Sequence, residues 1–259
     1  MTPHSVQRAL EHGERLSREE FMARWERMPQ LKRAELIDGT VYLPSVATSP
    51  DRATSLANGE RLSREEFMAR WERIPSLKKA ELIEGVVYLP SPVSNPHGVA
   101  DQIAQLWAGN YCLATPGCEC ATNCTLHILS SSPQPDLAMW WLPEHGGRAR
   151  VEGGYLTGPP ELIVEVTGSS RGYDLGEKLD LYQRAGVQEY LAILLEEERV
   201  EWRALRGRRY SKMRPDARGL LESRVFPGLR LDPSAVFESS RARLVRVLRA
   251  GIRERRRPA

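Results

Sequence analysis

Cysteine is scarce in this chain, four in 259 residues, too few for a disulfide scaffold at this length. Long apolar runs are missing: no stretch approaches the roughly 18 residues of a membrane span. The opening MTPHSVQRALEHGERLS has no apolar segment of the kind a secretory signal needs, so a cytoplasmic location and no membrane partner are expected. A surplus of one charge is also lacking, since the net charge is only +3. Apolar residues are not scarce. At 41% hydrophobic and 27% charged, the chain has the make-up of a folded globular protein, and global disorder is excluded.

The small net charge hides an asymmetry. Residues 241–259 hold eight arginines and one acid, Glu254, and so carry +7, which leaves −4 on residues 1–240. A basic stretch of this kind can neutralise phosphates, with Arg253, Arg255, Arg256 and Arg257 as the candidates. It can equally be the solvated end of a helix.

A repeat stands near the start. Residues 13–45 and 59–91 differ at only five positions (28, 30, 33, 38 and 40 in the first copy). With no third unit, this reads as duplication of one fragment rather than a solenoid. Ser17 and Ser63 each stand three residues before a glutamate, Glu20 and Glu66, and so open a helix with a capping box. Pro29 and Pro75 close those helices, and AELIEGVVYLP follows as strand, with Gly85 marking a turn or bulge. Copy two runs straight into SPVSNPHGVADQIAQLWAGNYCL, a loop and an amphipathic helix, whereas copy one runs into a polar, turn-rich linker. Copy two is therefore expected in the core. Residues 1–58 are expected as a peripheral or poorly ordered extension, 59–252 as the domain, and 253–259 as a basic tail.

Farther on, residues 120–130 and 134–142 read as strands, and PELIVEV, 160–166, as a buried strand carrying one carboxylate. Residues 175–186 read as a helix stopped by Gly186. Residues 187–195 are a strand, VEWRAL and RRYSKM a hairpin, and 233–252 a final helix. The order indicates an α/β or α+β domain around a mixed sheet flanked by helices.

Asp136, after Pro135 at a strand start, and Glu165, inside ELIVEV, are costly in apolar strands unless compensated. Alternation places Asp136 with Ala138 and Trp140, and Glu165 with Ile163, so the two can meet across neighbouring strands. A divalent cation would compensate them; so would ordinary salt bridges. Lys178, on the helix that follows, can assist such a site or simply be solvated.

The run PPELIVEVTGSSRGYDLGEKLDLYQRAGVQEYL, with AELIEGVVYLPSPVSNPHG and PQPDLAMW upstream, resembles the Uma-two family of endonucleases in the PD-(D/E)XK, restriction-endonuclease-like superfamily. The likeness covers about residues 60–250 and rests on the spaced pattern E-V-x-x-x-S-x-x-x-D-x-x-x-K-x-x-x-Y-x-x-x-G-V-x-E-Y. It implies a restriction-endonuclease-like fold and metal-dependent hydrolysis of DNA. Catalysis would rest on Asp136, Glu165 and Lys178, and Asp136, Glu165 and the Val166 carbonyl would hold Mg²⁺ or Mn²⁺. Thr167 stands where the superfamily pattern has lysine, so the likeness implies that the lysine has moved to Lys178. Glu81 matches a family acid and His97 a recurrent histidine; a homodimer is a further implication. Copy one has Glu35 at the Glu81 position but Asp51 where His97 would fall, and lacks counterparts of Asp136, Glu165 and Lys178, so it is no second active site. The alternative is a catalytically silent module of the same fold that binds nucleic acid or protein.

Three features are set aside. Cys112, Cys118, Cys120 and Cys124 lack the paired spacing of a zinc knuckle and read as reduced thiols. Trp140 and Trp141 face opposite sides of one strand and read as packing residues. GGRARVEGG reads as a flexible loop at the mouth of the site.

Overall fold

A computed structural model describes residues 9–11, 13–26, 28, 34–42, 55–89, 93–168 and 174–255. Copy one forms α1 (Arg18–Trp25) and the hairpin β1 (Glu35–Ile37) and β2 (Thr40–Tyr42). Copy two forms α2 (Arg64–Trp71), β3 (Glu81–Ile83) and β4 (Val86–Tyr88). The long helix α3 (Asn95–Leu113) follows, then β5 (Cys118–Thr122), β6 (Leu126–His127), β7 (Leu137–Trp141), β8 (Arg150–Glu152), β9 (Tyr155–Thr157) and β10 (Leu162–Thr167). A π-helical turn, Asp174–Lys178, leads into α4 (Leu179–Ala185), which ends at Gly186 with φ 82°. The chain closes with β11 (Glu189–Leu194), β12 (Arg199–Arg206), β13 (Arg209–Lys212), the short pair β14 (Leu221–Glu222) and β15 (Arg230–Leu231), α5 (Pro233–Phe237) and α6 (Arg241–Arg255).

Six strands make the central sheet in the order β13-β12-β11-β10-β7-β5. Only β10 and β11 run parallel; the other neighbours are antiparallel. A parallel pair needs a crossover, and here the crossover is the segment that carries Lys178 and α4. Alternation on β10 splits the core in two. Leu162, Val164 and Val166 pack with Trp107, Tyr111 and Leu248 beneath α3 and α6. Ile163 packs with Ala138, Leu181, Tyr182 and Tyr190 on the α4 side. Glu165 and Thr167 share the parity of Ile163.

The two copies adopt the same local structure. Ser17 and Ser63 accept from Glu20 N and Glu66 N, as the capping pattern predicts. Glu84 and Gly85 both have positive φ, the geometry of a two-residue hairpin turn, so AELIEGVVYLP is a hairpin rather than one strand. The copies differ in what they touch. Leu82 exchanges backbone hydrogen bonds with Ser132, Arg64 donates to the Leu129 carbonyl, and Ile83 is 1% exposed in the α4-side core. Ile37, its counterpart, is 52% exposed. Full burial of such a side chain stabilises by about 1.5–3 kcal/mol.

Three elements depart from the sequence reading. Residues 120–130 are not one strand. Asn123, at φ 49°, turns the chain out of the central sheet, and Leu126–His127 pairs with β9 in a separate three-stranded sheet. The final helix breaks at Ser239, also at φ 49°, into α5 and α6. The glycine-rich segment at 146–154 is partly strand, since β8 and β9 pair around Gly153 and Gly154. The linker residues 46–54 and the tail residues Arg256 and Arg257 lie outside the described residues.

Candidate functional site

The β7–β10 register runs Leu162↔Met139, Ile163↔Ala138 and Val164↔Leu137. One step farther, Asp136 falls opposite Glu165, where the ladder has ended. Asp136 Oδ2 takes the place of a ladder carbonyl and accepts from Val166 N at 2.8 Å. Thr167 O accepts from Leu195 N on the β11 side. The N–H and C=O of the alternate residue, Val166, therefore both turn toward Asp136.

Lys178 reaches the same place from the crossover. Its Nζ lies 2.8 Å from Glu165 Oε1, 3.0 Å from Glu81 Oε1 and 3.8 Å from Asp174 Oδ1. The π-helical turn matters here: such single turns widen a helix locally, and this one buries both Asp174 and Lys178 at its ends. Tyr182, one turn along α4, donates to Glu165 Oε1 at 3.0 Å. Glu81 arrives on β3 of copy two, where its Oε1 also accepts from Gln134 N at 2.7 Å. The copy-two hairpin is tied to the same crossover by Tyr88 Oη on Glu177 Oε2 at 2.5 Å and by Arg184 on Glu84 at 2.7 Å.

On the Asp136 side the cluster is more open. Lys79 Nζ lies 3.4 Å from Asp136 Oδ1 and 3.1 Å from Asn123 Oδ1. His97, in the first turn of α3, has Nε2 3.8 Å from Asp136 Oδ2. Asp101, one turn on, has an Oδ1 with no hydrogen-bond partner among the described residues.

The electrostatics follow from crowding. Burial raises the Glu165 pKa to about 8; Lys178 opposes this, while Asp136, Asp174 and Glu81 push it up further. Burial works against the Lys178 ammonium, but Glu165, Glu81, Tyr182 and Asp174 outweigh it and hold the lysine firmly protonated. Burial raises Asp101 as well, with Asp136 adding to the shift. Among the described residues, Glu81, Asp136, Glu165 and Asp174 face one buried lysine and one at the rim. Fully ionised, they leave a net negative site.

That excess of hard oxygen donors suits a divalent cation. Among the described residues no three His, Cys, Asp or Glu side chains are grouped as a ready metal cage. Mg²⁺ does not require one, because it takes one or two carboxylates and completes its shell with water and phosphate oxygens. Asp136, Glu165 and the Val166 carbonyl are oxygen donors of the kind such an ion would take.

The structure thus brings Glu81, Glu165 and Lys178 into direct contact, with Asp136 and His97 alongside. It does not bring Arg253 or Arg255 there. Arg255 donates to Tyr111 Oη at 2.7 Å, to Thr115 Oγ1 at 2.7 Å and to the Pro227 carbonyl at 3.1 Å, and lies over the Tyr111 ring. Arg253 is exposed on α6. The sequence reading gives no role to Asp174, Tyr182, Lys79 or Asp101. The first two stand in the quoted spaced pattern. Asp101 is four residues after His97, one helical turn away. Lys79 has no signal beyond its nearness to Glu81. Thr167 is buried, and its hydroxyl has no hydrogen-bond partner among the described residues. The thiols are free, with Cys112 Sγ 3.4 Å from Cys118 Sγ.

Comparison with known proteins bears on this arrangement. Residues 64–234 match the Uma2 family, described as "Putative restriction endonuclease". Among solved structures, the chain is similar to a protein from Anabaena variabilis ATCC 29413 whose title calls it a "putative nuclease belonging to DUF820". That likeness has a TM-score of 0.55 and 17% identity, covers 68% of this chain and 98% of the other, and speaks for the fold. No curated protein matches. Among the described residues no helix is long and apolar enough to cross a membrane. With two thirds of its length matched, the chain belongs to the Uma2 restriction-endonuclease family.

Proposed function

We propose that the protein is a metal-dependent endonuclease that hydrolyses DNA phosphodiester bonds. The observation that carries this reading is the hydrogen bond from Val166 N to Asp136 Oδ2 at the end of the β7–β10 ladder, next to Glu165, whose Oε1 lies 2.8 Å from Lys178 Nζ. Asp136, Glu165 and the Val166 carbonyl would hold Mg²⁺ or Mn²⁺. Such an ion polarises a phosphoryl oxygen and lowers the pKa of a bound water.

The chain's own residues have distinct tasks. Lys178 keeps Glu165 available as a carboxylate in a setting where burial favours its protonated form. Tyr182 fixes the orientation of that carboxylate through its hydroxyl. Val166 N holds Asp136 so that its second oxygen faces the rim. Glu81 shares the Lys178 ammonium and so couples copy two to the site. We place the folded domain at 59–252, with copy one outside it, because Ile83 is packed where Ile37 is not.

The test is nicking of supercoiled plasmid with Mg²⁺ or Mn²⁺ by the wild type, Asp136→Ala and Glu165→Ala. The expected result is nicking by the wild type alone, abolished by chelator. Equal nicking by all three proteins would contradict the assignment.

A further inference from the structure

An acidic site that acts on a phosphodiester has an electrostatic problem at its entrance, and its known lysine does not solve it. Lys178 is only 4% exposed, and its ammonium is held among Glu165, Glu81 and Asp174. An ammonium so enclosed neutralises its own carboxylates and cannot also reach out to a polyanion. The incoming strand would meet Asp136 first, beside Asp101.

Lys79 occupies that entrance. Its side chain is 33% exposed, against 7% for the Asp136 side chain beside it. Its contact with Asp136 Oδ1 is long, 3.4 Å, and an ordinary hydrogen bond, 3.1 Å, goes to the Asn123 side-chain oxygen, and Asn123 is itself exposed. The backbone beneath is fixed, since Ala80 N donates to Gln134 Oε1 and Glu81 anchors Gln134 N in return. The arrangement is a flexible ammonium on a rigid base, half in water, within a few ångströms of the carboxylate assigned to the cation. A compact charge on a four-carbon stem can turn from a loose ion pair to a phosphate oxygen with little rearrangement.

We infer that Lys79 is the residue that receives the nucleic-acid phosphate, whereas Lys178 serves the carboxylates. This deepens the endonuclease reading and rests on it for the identity of the anion.

The test measures binding of a fluorescently labelled DNA duplex over a range of salt without added divalent metal, for the wild type, Lys79→Met and Lys79→Arg. Loss of one phosphate contact should make the slope of log Kobs against log[salt] shallower by about 0.9 for Lys79→Met. Lys79→Arg should keep the wild-type slope. A merely structural role in pairing Asp136 would lower the melting temperature and leave the slope alone. The inference is overturned if Lys79→Met has the wild-type slope, or if the wild type binds no duplex. Cleavage is read separately: a wild type that binds DNA with the Lys79-dependent slope but never nicks it would sink the endonuclease reading and leave the phosphate contact standing.

Discussion

Lys178 Nζ stands 2.8 Å from Glu165 Oε1, joining the crossover to the strand it follows. The contact spans 13 residues of sequence and fastens the crossover of the central sheet's parallel pair back onto β10. Because Glu81 lies 3.0 Å from the same ammonium, the β3–β4 hairpin of copy two is part of the same charge cluster.

The cluster should make metal-free stability depend on pH with an unusual sign. Glu165 is raised to about 8 and Glu189 to about 7, burial being the first cause for both. Between the unfolded carboxylate range and these values, the folded protein binds more protons than the unfolded chain. The stability these two groups contribute is therefore fully present at low pH within this window and is lost as pH rises from about 5 to about 8. Glu189→Gln should remove the part that ends near pH 7, up to about 3 kcal/mol by linkage. Urea unfolding at a series of pH values in chelator checks this; a profile that rises over that range would contradict it.

Tyr182→Phe keeps the ring and deletes the hydroxyl on Glu165 Oε1. The expected loss of stability is about 1.5–3 kcal/mol, the range for hydrogen bonds to charged groups. Cleavage should fall, though less than in Glu165→Ala, because the carboxylate and its lysine remain. Thermal melts and nicking rates on the same preparations separate the two effects.

The two described arginines of the basic tail should behave differently. Arg255→Ala removes hydrogen bonds to Tyr111, Thr115 and Pro227 and should lower the melting temperature without flattening the salt dependence of DNA binding. Arg253→Ala, at an exposed position, should leave the melt unchanged, and any phosphate contact it makes would appear as a slope change of about 0.9.

Identical substitutions in the two copies test their inequality. Ile83→Asp places a carboxylate in a sealed core and should cost several kcal/mol. Ile37→Asp, at a position 52% exposed, should stay within about 0.5 kcal/mol. Equal effects would mean that copy one is packed as firmly as copy two.

Much of this was legible in residues. The parity of Asp136 with Ala138 and of Glu165 with Ile163 follows from strand alternation alone, and Asp136 Oδ2 accepts from the backbone N–H of Val166, the residue after Glu165. The N-caps Ser17 and Ser63 are local signals and give their helices correctly. What failed was set by backbone conformation. Asn123 and Ser239 take positive φ, which short polar residues permit but do not announce, and each breaks an element that periodicity would have continued. Lys178 ends a π-helical turn, for which the spacing of Leu175, Leu179 and Tyr182 gave no sign. Lys79 and Arg255 were illegible for a related reason: partners such as Asp136 and Tyr111 lie far away in sequence, and no local pattern encodes them.

The central claim is that Asp136 and Glu165 together hold a divalent cation. Calorimetric titration of Mn²⁺ into the metal-free wild type, Asp136→Asn and Glu165→Gln tests it most directly. One site is expected in the wild type, with affinity that strengthens from pH 6 to pH 8.5 as Glu165 ionises and that is lost in both variants. Binding that is absent from the wild type, or undiminished in either variant, would contradict the account.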